Sequence, residues 1–156
     1  MTSMADSALA TDRCWLVFRI AGQAYAAPLP QVSEVIRDSD VTPVPGAAPD
    51  LLGIRHLRGQ IVPVMDGARR LGLAATEVDT EQVRIVVLAH GAHRVGLRVD
   101  AVGELLHADG EIAPPPPGRG ARDDEPVDGV LPLHGGFVAL LDVRRLCRLP
   151  QGELAA

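Results

Sequence analysis

The chain has 156 residues, 47% of them hydrophobic and 22% charged, which supplies one compact core or two small fused ones and is too apolar for a disordered polypeptide. All 15 basic residues are arginines, asparagine is also absent, and serine occurs only at positions 3, 7, 33 and 39, so a Schiff-base enzyme, a P-loop NTPase, an N-glycosylated surface and a G-x-S-x-G hydrolase are excluded. The net charge of −5 and the presence of only four aromatics, Trp15, Phe18, Tyr25 and Phe137, exclude the basic surface and stacking platforms on which nucleic-acid binders rely.

Residues 1–12 lack both the basic and the long apolar region of a signal peptide, and are expected to be a disordered tail. The longest apolar runs, such as Ile85–Ala89, fall far short of a membrane span, so the expectation is a cytoplasmic protein with no direct membrane insertion. Cys14–Ile20, a break at Ala21-Gly22-Gln23 and a second run Ala24–Ala27 form the pattern of a hairpin. A strand follows at Val32–Ile36, then a Pro-rich stretch at Thr42–Pro45, one turn near Ala48–Leu52 and a strand at Ile61–Asp66. Pro63 lacks a ladder N–H and is expected on an edge or a bulge. Short helical pieces are expected at Gly67–Leu71 and Val143–Cys147. A second hairpin runs through Val83–Ala89, the turn around His90–His93 and Arg94–Val99. In its last strand Val95, Leu97 and Val99 point one way and Arg94 and Arg98 the other, as expected for one wet face. Residues 109–128 hold Pro114–Pro117 and the acidic Asp123-Asp124-Glu125, a solvated, partly polyproline-II loop rather than an SH3 or WW ligand. The chain ends in a tail at 150–156.

A repeat organises these pieces. A shift of 70 lays Gln31–Ile36 on Ala101–Leu106 and superposes the hairpins, and a shift of 76 lays Gly53-Ile54 on Gly129-Val130 and Gly59–Asp66 on Gly135–Asp142. The difference is a net insertion of six residues in the 109–128 loop. The chain therefore reads as a duplicated unit of about five short strands, with subdomains at about 13–75 and 82–147. The expected fold is mainly β: two small five-stranded barrels, because closure removes exposed edges, with a few short helices.

Chemistry-bearing constellations are few. His90 and His93 bracket a predicted turn, where they diverge more readily than they converge on an ion, and zinc would need two further ligands; no metal and no cofactor are expected. Asp66 and Asp142 fall at equivalent strand ends before helical turns, where N-capping explains both without catalysis. Cys14 and Cys147 have no zinc spacing and are expected to be reduced, buried thiols. Glu34 and Glu104 are equivalent, solvent-facing strand residues.

The segment Thr42–Asp66 carries Gly53-Ile54, Leu57-Arg58-Gly59 and Ile61-Val62-Pro63-Val64-Met65-Asp66, a string that resembles the signature of the CheW-like family, the coupling proteins of bacterial chemotaxis. Flanking matches are the opening L-V-F-x-I strand, Tyr25, Val32-x-Glu34-Val35-Ile36, Val95-Gly96-Leu97-x-Val99-Asp100-x-Val102, Ile112-x-Pro114-Pro115 and Leu140-Leu141-Asp142. Together they cover about residues 13–149 as a single CheW-like domain. His56 stands where the family usually has Asn, and Gly67 where it usually has an apolar residue.

The resemblance implies two SH3-like barrels and a non-enzymatic adaptor linking the cytoplasmic signalling tip of a chemoreceptor to the regulatory domain of a CheA-type histidine kinase. It implies a protein monomeric in isolation and recruited to membrane receptor arrays. The receptor's helical hairpin would dock in a groove between the barrels, at Val32, Glu34, Val35 and Arg58, with Val95 and Val99 on the second hairpin. The kinase-facing surface would include Val41, Val44, Ile54, His56 and Leu57. Arg58 stands out, since its repeat-equivalent is His134, an asymmetry that points to a duty in one half only. The alternatives are an adaptor of a surface-motility or second-messenger pathway, and a small metal-dependent enzyme using the histidines.

Overall fold

A computed structural model describes residues 14–107, 112–114 and 126–147; the expected tails at 1–12 and 150–156 and most of the 109–128 loop lie outside the described residues. Among the described residues ten strands occur in chain order: β1 (Cys14–Ile20), β2 (Gln23–Pro28), β3 (Val32–Arg37), β4 (Leu51–Leu57), β5 (Gln60–Asp66), β6 (Arg84–His90), β7 (His93–Val99), β8 (Ala101–His107), β9 (Val127–Leu133) and β10 (Gly136–Leu141). Helix among the described residues is confined to a 3-10 turn at Leu29–Gln31 and two single turns, α1 (Gly67–Arg70) and α2 (Val143–Leu146). Both single turns begin as the sequence requires. The Asp66 carboxylate accepts from the Arg69 N–H at 3.2 Å and that of Asp142 from the Arg145 N–H at 3.3 Å, each filling a donor that a helix start leaves open.

The strands form two five-stranded sheets, ordered β8-β1-β2-β10-β9 and β3-β6-β7-β5-β4. This corrects the division into subdomains at 13–75 and 82–147. The first sheet takes the hairpin β1–β2 from the first repeat and β8, β9 and β10 from the second; the other sheet is its mirror in sequence, with β6–β7 joined to β3, β4 and β5. Each repeat has lent its opening hairpin to the other. The parallel junctions show the exchange directly, with Val64 beside Gly96 where β5 meets β7 and Leu140 beside Ala26 where β10 meets β2.

The exchange sets where the core lies. The largest buried cluster combines Leu16, Phe18, Ile20 and Tyr25 of one sheet with Met65, Val86, Leu88, Val95, Leu97 and Val99 of the other, sealed by Val143 and Leu146 of α2. Smaller clusters fill each barrel: Val17, Ala26, Leu131, Val138 and Leu140 in the first, and Val62, Val64, Ile85 and Val87 in the second. Strands β1, β2 and β6 therefore bury alternate residues on opposite sides, into their own barrel and into the layer between barrels. That is why Ile85–Leu88 is an uninterrupted apolar run rather than an alternating one. Strand β7 likewise has no wet face at its centre: opposite Leu97, the backbone of Gly96 lies so close to Ile85 and Val64 that an added Cβ would stand 2.8 Å from the Ile85 Cγ2.

Pro63 lies on an inner strand, not on the expected edge. It is tolerated because the parallel ladder to β7 registers only Val64–Asp66, so the missing N–H falls at the end of that ladder. The helical turn expected near Ala48–Leu52 does not form: Pro49 and Asp50 make a turn, and Leu51 and Leu52 already belong to β4.

Candidate functional site: the barrel seam

Strands β3 and β4 are opposite edges of one sheet, yet Arg58 Nε donates to Glu34 Oε2 at 2.9 Å. Contact between the two edges shows that the sheet has curled into a barrel with a seam between them. Three links stitch this seam. Arg58 reaches across it from the β4–β5 turn. Arg55 of β4 donates through one guanidinium nitrogen to the carbonyls of Arg37 and Ser39, at 2.7 and 2.9 Å. Thr42 forms a β-bridge with Ile54. The bridge requires glycine at position 53, where a Cβ would collide with the Thr42 carbonyl.

The other barrel repeats the design. His134 Nε2 lies 2.7 Å from Glu104 Oε1, Ala113 bridges Val130, and a Cβ at Gly129 would stand 2.8 Å from the Ala113 carbonyl oxygen. The glycines matched by the repeat are thus explained by close backbone approach. The expected asymmetry of Arg58 is corrected as well: His134 makes the equivalent link, so both halves use the position, one with a permanent cation and the other with a titratable ring. Glu34 and Glu104, expected as simple solvent-facing residues, are the acceptors of these links.

Arg58 occupies the first position of a two-residue turn, with φ of 52° followed by 78° at Gly59. Positive φ at both positions is the type I′ arrangement, which favours Asn, Asp or Gly first. Its side chain is 73% exposed, whereas that of Glu34 is 19% exposed. One guanidinium nitrogen is engaged here, while the fork offers five donors.

Apolar side chains flank the seam at repeat-equivalent places. Val35 and Ile61 are exposed on one barrel and Leu105 and Phe137 on the other, Phe137 at 70%. Ile61 faces His56 across the β4–β5 ladder, and Ile54 faces Pro63. Sequence reasoning had missed Ile61, Leu105 and Phe137. The repeat carried their signal, because both copies keep an apolar residue at an outward position of a strand.

The expected receptor-binding residues divide. Val32, Glu34 and Val35 lie on β3 and Arg58 is bound to Glu34, which gathers the four at one edge of the sheet, although Glu34 and Val35, being successive, point to opposite sides of the strand and Val32 is half-buried against the inter-barrel core. Val95 and Val99 do not belong to it. They are 1% and 0% exposed, closed into the layer between barrels because β7 is covered by sheet on both sides. Among the expected kinase-facing residues, the Thr42–Ile54 bridge brings the 41–45 segment onto β4. Val41 and Leu57 turn toward the barrel core, whereas Val44 and Ile54 are half-buried and His56 is exposed.

His90 and His93 are direct cross-strand partners flanking Gly91-Ala92, facing each other rather than diverging. Among the described residues no group of three or more His, Cys, Asp or Glu side chains is placed to hold a metal. Both cysteines are free. Burial pushes the Cys147 thiol above its ordinary pKa, an effect partly offset by a backbone hydrogen bond with His90.

Comparison with known proteins decides the family. The model of the CheW-like domain matches residues 15–151. The chain belongs to the CheW-like family. It is 31% identical over 144 residues to the chemotaxis protein CheW of Rhizobium meliloti, covering 92% of each chain. It is 29% identical over 133 residues to that of Bacillus subtilis, covering 85% of each. Among solved structures it superposes on the scaffolding protein TtCheW of Thermoanaerobacter tengcongensis with a TM-score of 0.74 and 29% identity, covering 83% of this chain and 88% of that one. The family and the two-barrel β fold expected from the sequence are both borne out. No helix among the described residues of this CheW-like chain is long and apolar enough to cross a membrane.

Proposed function

We propose that this CheW-like chain is a non-enzymatic adaptor of bacterial chemotaxis, coupling the cytoplasmic signalling tips of chemoreceptors to the regulatory domain of a CheA-type histidine kinase. The observation that carries this reading is the family match across nearly the whole chain, supported by relatives of the same length that bear the chemotaxis name. The receptor face is the seam surface of Val32, Glu34, Val35 and Arg58. A helix stripe packs on the exposed Val35 and Ile61, and the free donors of the Arg58 fork take carbonyls or a carboxylate at the rim. The kinase face is the strip of Val44, Ile54 and His56, with Val41 and Leu57 bracing it from within. The protein works in the cytoplasm, is recruited to receptor arrays, and binds each partner modestly, with the array held together by many simultaneous contacts.

Co-sedimentation tests it. A receptor signalling domain assembled on vesicles is mixed with a CheA-type kinase, with and without this chain. The kinase is expected to pellet with receptor only when this chain is present. Kinase that stays in the supernatant in both mixtures overturns the proposal.

A further inference from the structure

The two repeats hold together by an unusual division of hydrogen bonding. Among the described residues eight strand pairings form the two sheets, and four of them, β1–β2, β4–β5, β6–β7 and β9–β10, are hairpins within one repeat. The other four, β1–β8, β2–β10, β3–β6 and β5–β7, each join a strand of the first repeat to a strand of the second. Neither repeat owns a sheet larger than a hairpin, and an isolated hairpin is marginal in water. The largest core cluster is likewise built by both repeats together. Each half is therefore a surface complementary to the other half, not a barrel that happens to touch one.

The connection between the halves places few demands on which copy supplies the complement. Asp66, at the end of β5, registers with Arg98 of β7, and Arg84, at the start of β6, registers with Val99 of the same strand. The two ends are thus two strand spacings apart, about 10 Å, to which the single turn of α1 adds about 6 Å. Residues 71–83 span this gap with a reach of about 40 Å if extended. Leu71 and Val83 are buried at the ends of the segment, while Ala74–Gln82 are exposed and carry no regular structure. Two local hydrogen bonds, Leu73 N to the Ala68 carbonyl at 2.8 Å and Gln82 N to the Asp79 carbonyl at 2.9 Å, shape the folded-back path.

We propose that the complementary face of each half also accepts the opposite half of a second copy of this chain, so that the protein forms a reciprocally exchanged dimer with residues 71–83 as the hinge. Every ladder and every core contact between repeats is preserved in the exchange, and only contacts of the hinge itself change. The monomer prevails at low concentration because the tether holds the two halves at an effective concentration of about 1 mM, the range for short flexible linkers.

The test is refolding of the full chain. Protein unfolded in guanidinium with a reductant is refolded by dilution at about 1 mM and at about 1 μM, then sized by light scattering after gel filtration. At the higher concentration, equal to the effective concentration of the tether, about half of the chains are expected in a species of twice 16.5 kDa, and a share about 250-fold smaller at the lower one. The dimer should survive dilution for hours, because reopening it requires breaking all four inter-repeat ladders. A single 16.5 kDa species at both concentrations, or a dimer that dissociates within minutes of dilution as a docked pair would, overturns the proposal. Deletion of Gly72–Gln82 leaves only Leu71 and Val83, with a reach of about 7 Å that falls short of the gap, and this variant should be mainly dimeric even at micromolar concentration. A shortened chain that remains monomeric overturns the proposal too, and if that variant precipitates, the refolding result for the unaltered chain decides.

Discussion

Replacing Arg58 with Asn separates what this residue does for its own turn from what it does for a partner. Arg58 holds φ of 52°, a left-handed conformation that costs an ordinary L-residue about 1–2 kcal/mol and that Asn adopts more readily. Against that relief stands the loss of the link to Glu34. The pair is a surface one, with the Arg side chain 73% exposed, so the loss amounts to about 0–1 kcal/mol. The two changes nearly cancel, and the melting temperature of Arg58→Asn should lie within about 4 °C of the unaltered chain, the shift that 1 kcal/mol gives at this size. Binding to a receptor signalling domain, measured by titration calorimetry, should weaken by about 10- to 150-fold, the equivalent of a charge-assisted hydrogen bond worth about 1.5–3 kcal/mol. A melting temperature lowered by much more than this with receptor affinity intact would refute the reasoning, because Arg58 would then be a structural brace.

Leu97, fully buried in the layer between barrels, should cost about 2–5 kcal/mol on substitution by Ala. Because that core is shared, guanidinium unfolding followed by near- and far-ultraviolet circular dichroism should remain one coincident transition; two separated transitions would show that the barrels fold independently. Cys147 has its thiol pKa raised by burial, so the fold favours the protonated form. The stability this contributes is fully present below the ordinary thiol pKa and is lost as pH rises through the raised one. Reaction of the native protein with a thiol-specific disulfide reagent should be slow at pH 7 and accelerate above pH 9, with the slow phase missing in Cys147→Ser. A fast reaction at pH 7 traced to Cys147 would contradict this.

Much of the site was legible because the duplication writes it twice. Asp66 and Asp142, found at equivalent strand ends, do cap equivalent helical turns. The matched glycines at 53 and 129 do mark the same close backbone approach. The link from Arg58 to Glu34 was not legible, since the two lie 24 residues apart on opposite edges of a sheet, and contact between edges exists only once the sheet has closed. The wrong placement of Val95 and Val99 has the same origin. Alternation along β7 correctly put them on one face, but alternation does not say whether that face meets water or a second sheet.

The amino-acid sequence by itself determined the repeat, the hairpins, the capped helical turns and the family, because each depends on residues close together in the chain or on direct similarity. Only the tertiary structure decided which hairpin completes which barrel. Strand pairing between β1 and β8 or between β5 and β7 is non-local, and both repeats carry nearly the same strand pattern, so a hairpin pairing with its own repeat and one pairing with the other satisfy the same alternation. What separates them is the shared core: exchange lets β1, β2, β6 and β7 bury apolar residues in the layer between the barrels.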